Sequence, residues 1–445
     1  MADEWRNVAL EEVADELTVG YVGPMASEYV NEGVPFLRSL NVDPLRINKN
    51  DLKFITPEFH RRIRKSRLTS GDVVIVRTGK PGACSVIPEW LDDANCSDLV
   101  IVRCGPQLNN RFLAYYVNTV ASDHVAAHLV GAVQQHFNVG SARTLRLNLP
   151  PLAEQETIAT ALGALDDKIE LNRRMNATLE AMARALFQSW FVDFDPVRTK
   201  LDGRAPTAID PATAALFPAT FQDSSLGHIP TGWEVKQLDE LAERIAMGPF
   251  GSDIKVSTFV PEGIPVVSGQ HLRGTLLDDS DFNFVSVEHA DRLKRSNVQR
   301  GDVIFTHAGS IGQVAYIPDS SRYKRYIVSQ RQFYMRCNRG LVSPYYITSY
   351  FKTAEGRHRL LANTSSTGVP SISQPVTYLR QLKIVVPPAA LLKVFDATVS
   401  AIHLKIADND HQSRTLATLR DTLLPKLLSG ELSVAGTGNL IQSAS

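Results

Sequence analysis

Residues 70–90 (SGDVVIVRTGKPGACSVIPEW) and 300–320 (RGDVIFTHAGSIGQVAYIPDS) are two versions of one segment, 230 positions apart. Gly71, Asp72, Val73, Gly79, Gly82, Ile87 and Pro88 coincide with Gly301, Asp302, Val303, Gly309, Gly312, Ile317 and Pro318. These are seven identities in 21 positions, where unrelated sequences give about one or two by composition. At the same offset Gly33 and Pro35 meet Gly263 and Pro265, and Phe54, Arg62 and Ser66 meet Phe284, Arg292 and Ser296. Downstream the offset becomes 237: Pro150-Pro151 meets Pro387-Pro388, and Lys168, Ile169, Asn172, Leu179 and Leu186 meet Lys405, Ile406, Asn409, Leu416 and Leu423. A repeat of this period calls for one unit built twice.

Each copy has the same internal order. A mixed region of about 150 residues carries β-like runs, 73–77 and 303–306, between Gly and Pro turns. A double proline follows, then a long stretch dominated by Ala, Leu, Glu, Arg and Met. As a helix, residues 152–190 would be a rod of about 58 Å. Residues 196–230, rich in Pro, Ala and Thr, read as an extended connector.

Both helical stretches carry an apolar seam at alternating steps of four and three. In the first it runs through Ile158, Leu162, Leu165, Ile169, Asn172, Asn176, Leu179, Ala183, Leu186 and Trp190; in the second through Phe395, Val399, Ile402, Ile406, Asn409, Ser413, Leu416, Arg420 and Leu423. This period is a coiled-coil signature. Polar positions Asn172/Asn176 and Asn409/Ser413 fall at matching places, which favours pairing of the two helices through Leu165, Ile169, Leu179, Ile402, Ile406 and Leu416. The alternative is that each helix packs only on its own mixed domain. Pro425 should end or kink the second run. An antiparallel pair would make a stiff spacer between two like domains. On B-DNA, readers on one face sit about 34 Å apart or at a multiple of that distance.

Charge narrows the partners. Lys+Arg and Asp+Glu both number 47, so bulk charge cannot coat nucleic acid, and any DNA contact must come from local clusters. The first is His60-Arg61-Arg62-Ile63-Arg64-Lys65-Ser66-Arg67, with Arg292, Lys294, Arg295 and Arg300 as its counterpart. These suit phosphate contact, and suit a solvated helix face equally well. A second stretch, Arg322, Lys324 and Arg325 among tyrosines, leads to Gln330-Arg331-Gln332. Arg can grip guanine and Gln adenine at two points, though an edge strand with wetted side chains would look the same. The GxxG turns that hold Lys80 and Ser310, and the polar loops at Gln134-Gln135 and Ser365-Ser366, are further candidates for the DNA side.

Motifs for chemistry are missing. Asn148-Leu149-Pro150-Pro151 has an inserted leucine and no aromatic, unlike an adenine methyltransferase motif, and no Walker A sequence occurs. Asp223 with Glu234-Val235-Lys236 only loosely suggests a nuclease. The four cysteines form no CxxC pair, so neither a metal site nor a disulfide framework is expected, and no cofactor is called for. No apolar stretch suits a membrane span, and the first residues do not read as a secretion signal, so a cytoplasmic protein is expected.

The segments 186–197 (LFQSWFVDFDPV) and 226–233 (LGHIPTGW), with the Pro150-Pro151-x-x-Glu154-Gln155 helix start, resemble the specificity subunit of type I restriction–modification enzymes. Pro387-Pro388 departs from the pattern, being followed by Ala389-Ala390 and Leu391. The resemblance implies an α+β fold with pseudo-twofold repetition. Two similar mixed α/β target-recognition domains, 1–150 and 229–386, would be separated by an antiparallel coiled coil of spacer helices, 151–195 and 387–435. A connector would span 196–228 and a flexible tail 436–445. It further implies a non-catalytic subunit that reads a bipartite, asymmetric site in double-stranded DNA. One such subunit per complex would dock two methyltransferase subunits and then nuclease/translocase subunits. A coiled-coil scaffold whose mixed domains bind protein or RNA is the alternative.

Overall fold

A computed structural model describes residues 5–120, 137–207, 209–251, 253–365 and 368–432. The chain divides into two compact units, residues 1–171 with 412–445, and residues 172–411.

The two units share one topology. In the first, a four-stranded antiparallel sheet runs Cys84–Val86, Val73–Val76, Leu99–Cys104, Ala14–Val19. The second repeats it as Val314–Tyr316, Asp302–Thr306, Gln332–Cys337, Ala242–Met247. The five-stranded sheets match too. Tyr29–Val30, Lys53–Ile55, Val34–Leu37, Ala94–Cys96, Arg67–Leu68 corresponds to Phe259–Val260, Asn283–Val285, Ile264–Val267, Arg325–Val328, Asn297–Gln299. Each holds a single parallel pairing, at Phe36↔Asn95 and Val266↔Ile327. A short antiparallel pair closes each domain, Arg6–Ala9 with Arg146–Leu149 and Glu234–Gln237 with Lys383–Val386.

The repeated Gly-Asp-Val is structural. Gly71 and Gly301 sit at φ +91° and +87°, open to glycine at no steric cost. Asp72 accepts the Thr69 N–H (2.9 Å), and Asp302 accepts the Gln299 N–H (2.9 Å), so each aspartate closes the turn before its strand. Arg336 grips Asp302 with two bonds (2.8 and 2.7 Å), and Arg103 stands 3.7 Å from Asp72. The following strand is buried on both faces. Val73 and Ile75 face the core that holds the helices, while Val74 and Val76 face the five-stranded sheet, as the two-residue period of a strand requires. Val303 and Phe305 against Ile304 repeat the division.

The long helices span Leu152–Phe191 and Ala389–Leu428 and pair antiparallel. Within the first unit Leu165 and Ile169 pack on Leu416, and Arg420 bonds Asp166 (2.6 Å). Within the second unit Asn409 donates to Asn176 Oδ1 (2.8 Å), and Asn176 donates to Asp410 (2.8 Å). Asn172 reaches the Asn409 carbonyl (3.3 Å), and Phe187 meets Phe395. Residue numbers thus rise on one helix as they fall on the other. Leu179, Ile402 and Ser413 are half-buried, and Ile406 is buried.

Two expectations change. Residues 196–230 are not an extended connector. They form helices Asp195–Leu201 and Pro211–Ala215 and the hairpin Phe221–Ser224 with Gly227–Pro230. Pro196 and Pro211 sit in first turns, where a missing N–H costs nothing, and Asp210 caps the Thr213 N–H (3.0 Å). Phe217 buries against Trp190, so apolar contact outweighs the breaker composition. Of the two outcomes expected at Pro425, an end or a kink, the end is ruled out, since the second helix continues to Leu428. Pro425 and Asp421 both face solvent, so the carbonyl left without a donor is wetted. Burial of Leu423, Leu424, Leu427 and Leu428 holds the last turns.

Among the described residues no helix is long and apolar enough to cross a membrane, and no His/Cys/Asp/Glu group could hold a metal.

Candidate DNA interface

In each unit one helix carries the basic run. Thr56 caps helix Pro57–Arg62 by accepting the Phe59 N–H (3.1 Å), and Ser286 caps Val287–Arg292 by accepting the His289 N–H (3.1 Å). Buried Phe59 and Ile63 pin one face of the first, and Ala290 pins the second. The basic side chains are left outside. Arg64 and Lys65, like Lys294 and Arg295, lie exposed on a following 3₁₀ turn and form no ion pair among the described residues. Arg61 bonds the Pro57 carbonyl (3.2 Å), Arg62 reaches Glu28 (3.1 Å) over the Phe59 ring, and Arg67 reaches Asp93 (2.6 Å). All three remain exposed, and such surface pairs hold a side chain weakly.

In the second unit a chain of hydrogen bonds joins this helix to the other candidates. Arg292 donates to His289 Nδ1 (3.1 Å), and His289 Nε2 donates to the Asp253 carbonyl (2.8 Å). Gln330 Nε2 then donates to the carbonyls of Ile254 (2.6 Å) and Gly251 (3.2 Å). His307 ties the Gln330–Arg331 turn to the GxxG turn: its Nε2 donates to the Gln330 carbonyl (3.0 Å) and its N–H to the Arg331 carbonyl (2.9 Å). On the far side of the GxxG turn, the Gly309 N–H meets the Pro370 carbonyl (3.2 Å), beside the small hairpin Thr364–Ser365 with Ser371–Ile372. Arg292, Gln330, Arg331, Ser310 and Ser365 thereby gather on one edge of one domain.

The remaining basic stretch lies elsewhere. Arg322 and Lys324 precede strand Arg325–Val328 and Gln330 follows it, so about 13 Å of strand separates them. Arg322 stacks on Tyr323, and Lys324 is exposed. Arg325, half-buried, is engaged by Asp291 (2.6 Å) and Asn297 (2.7 Å).

The first unit builds the same edge with other side chains. The Phe137 N–H bonds the Arg77 carbonyl (2.9 Å) where Ile372 bonds His307, and the Arg77 N–H bonds the Asp98 carbonyl (3.2 Å) where His307 bonds Arg331. Asp98 accepts the hydroxyls of Ser39 (2.9 Å) and Thr78. Lys80, in its GxxG turn, reaches Asp43 (3.2 Å). Tyr21 stacks edge-on against Phe59 (5.3 Å) in place of the His289–Asp253 bond. A carboxylate thus stands in one copy where a guanidinium stands in the other. Gln134, Gln135 and Ser366 lie outside the described residues. The sequence pattern does not single out Asp98, Ser39 or Phe250. Phe250 between proline and glycine is nonetheless a visible sign, since turns seldom expose an aromatic ring.

Comparison with known proteins settles what this twofold arrangement is. The type I restriction modification DNA specificity domain matches residues 2–181 and again 230–400. The chain belongs to this family. Among its relatives, the HindI specificity subunit of a type I restriction enzyme from Haemophilus influenzae is 26% identical over 66% of this chain and 70% of its own length. The MjaIX specificity subunit from Methanocaldococcus jannaschii is 24% identical over 73% of this chain and 69% of its own length. In fold, it is similar to the crystal structure of a type I restriction-modification S subunit from M. genitalium, with TM-score 0.55 and 14% identity, covering 95% of this chain and 96% of that one. The chain is thus a specificity subunit of the type I restriction-modification kind.

Proposed function

We propose that this specificity subunit reads a split, asymmetric site in double-stranded DNA, one half with residues 1–150 and the other with 229–386. The observation that carries the reading is the edge built twice in different chemistry. Asp98 against Arg331 and Phe59 against His289 occupy equivalent places. Because carboxylates accept from cytosine and guanidinium groups donate to guanine, unlike edges select unlike half-sites. The exposed Arg64, Lys65, Lys294 and Arg295 set the register on phosphates. Helices Leu152–Phe191 and Ala389–Leu428 fix the gap between readers, and 196–228 joins the copies.

The chain does no chemistry in this scheme. It places two methyltransferase subunits over a flipped adenine in each half-site, one specificity subunit per complex, and nuclease/translocase subunits join that core. The work is done where the DNA lies, in the cytoplasm. The names of the relatives, all specificity subunits of type I restriction enzymes, support this division of labour.

Mapping methylated adenines in cells that hold the methyltransferase with and without this chain tests the reading. One split motif that depends on the chain is expected. Inserting seven residues into both helices, about 10 Å of rise, should widen its gap by about three base pairs. An unsplit motif, or a gap that ignores the insertion, would sink the proposal.

A further inference from the structure

Phe250 is the aromatic ring most out of place. It is 75% exposed, two residues after the strand Ala242–Met247 gives way to Gly248, and single exposed apolar residues are ordinary on protein surfaces. Two observations lift it above that background. The first is recurrence. Gly20 and Gly248 each donate to the first residue of the equivalent strand, Leu99 and Gln332, both at 2.8 Å. Two residues later stand Val22, 73% exposed, and Phe250. The flanking residues differ, Tyr-Val-Gly against Pro-Phe-Gly, yet an apolar side chain is presented to solvent both times.

The second is anchorage. Only glycine fits at 248, because a Cβ there would lie 2.0 Å from the Ser329 carbonyl oxygen. Gln330 holds the carbonyls of Gly251 and Ile254, His289 holds that of Asp253, and the Ile254 side chain is buried. Every anchor belongs to the edge that carries Arg292 and Arg331. An apolar side chain presented between anchored residues, on the edge that carries these cations, fits a polyanion with an apolar patch on its edge.

We infer that Phe250 is a specificity-determining residue that packs on the 5-methyl group of a thymine in the major groove of the second half-site, with Val22 in the same role for the first. The inference rests on the DNA-reading function proposed above. Among the four bases only thymine offers an apolar group in that groove, so an apolar side chain held there by anchored neighbours selects a T·A pair.

The test uses the complex of this chain with its methyltransferase subunits and duplexes that hold the mapped site. Each thymine of the second half-site is replaced in turn by uracil, which removes the methyl alone. One replacement should weaken wild-type binding about four-fold, the worth of one buried methyl. F250A should bind the thymine duplex correspondingly more weakly and be indifferent to that same replacement, while F250L keeps part of the discrimination. If F250A binds as wild type does, or loses equally on thymine and uracil duplexes, the inference is overturned while the function stands. Absence of sequence-specific binding by the wild-type complex would overturn both.

Discussion

The two copies start their long helices differently. In the first, buried Gln155 accepts the Asn109 N–H (2.9 Å) and donates to the carbonyls of Gln107 (3.0 Å) and Pro150 (2.8 Å), while Glu154 accepts the Trp5 indole N–H (3.2 Å). The equivalent places in the second hold Leu391 and Leu392, which join a core of Phe187, Phe191, Trp233, Tyr346 and Phe395. Hydrogen bonds fix loop against helix in one copy, and aromatic packing does so in the other. One backbone design therefore accepts either solution, though with leucine in place of Glu154 the buried Trp233 indole N–H has no partner among the described residues, a cost that the aromatic packing must offset.

The comparison can be broken most sharply at Phe395. F395A empties part of the aromatic cluster and should cost about 3–5 kcal/mol. I158A, at the equivalent place in the first copy, should cost less. Chemical denaturation of both variants checks this, and equal losses would mean that the aromatic start carries no extra weight.

A smaller effect should appear with pH. His403 lies buried with the Tyr316 hydroxyl 2.6 Å from Nδ1, and burial holds its pKa at about 4. An unfolded histidine titrates near 6.5, so the unfolded chain binds the extra proton as pH falls between those values. Stability from this group is complete above about pH 6.5 and is lost toward pH 4, by roughly 2–3 kcal/mol. Asp396, pushed up to about 6 by burial, acts with the opposite sign, costing stability near pH 7 and less as pH falls. The first copy has Asp166 in place of His403, bonded by Arg420 and by the Tyr115 hydroxyl. Hence H403Q should gain on wild type by about 2–3 kcal/mol between pH 7 and pH 4. Parallel pH curves for the two proteins would refute the assignment.

The finest test is Q155L, which installs the second copy's solution in the first. With Asn109, Gln107 and Pro150 losing their partner, the loss should be about 1–3 kcal/mol by denaturant titration. A neutral result would show that water reaches those groups.

Much of this architecture was legible in the chain. The repeat announced two like domains, and the four-three seam announced paired helices, because burial on one helical face writes a period that composition cannot mask. Residues 196–230 were not legible: prolines that break a helix interior also start one, and only the burial of Phe217 decides between those outcomes. The candidate interface was legible as residue types but not as geometry. Arg325 and Arg331 look alike in the sequence, yet the first is tied to Asp291 and Asn297 while the second stands exposed. Such differences arise from partners distant in sequence, which no local pattern records.

The first unit closes on Leu423, Leu424, Leu427 and Leu428, so its core is discontinuous in the chain. A ribosome that adds about 5–20 residues per second takes roughly 10–50 s to make the intervening 172–411. Throughout that interval the amino-terminal half waits with an open apolar flank, and the carboxy-terminal half, made later, is the first to be finished.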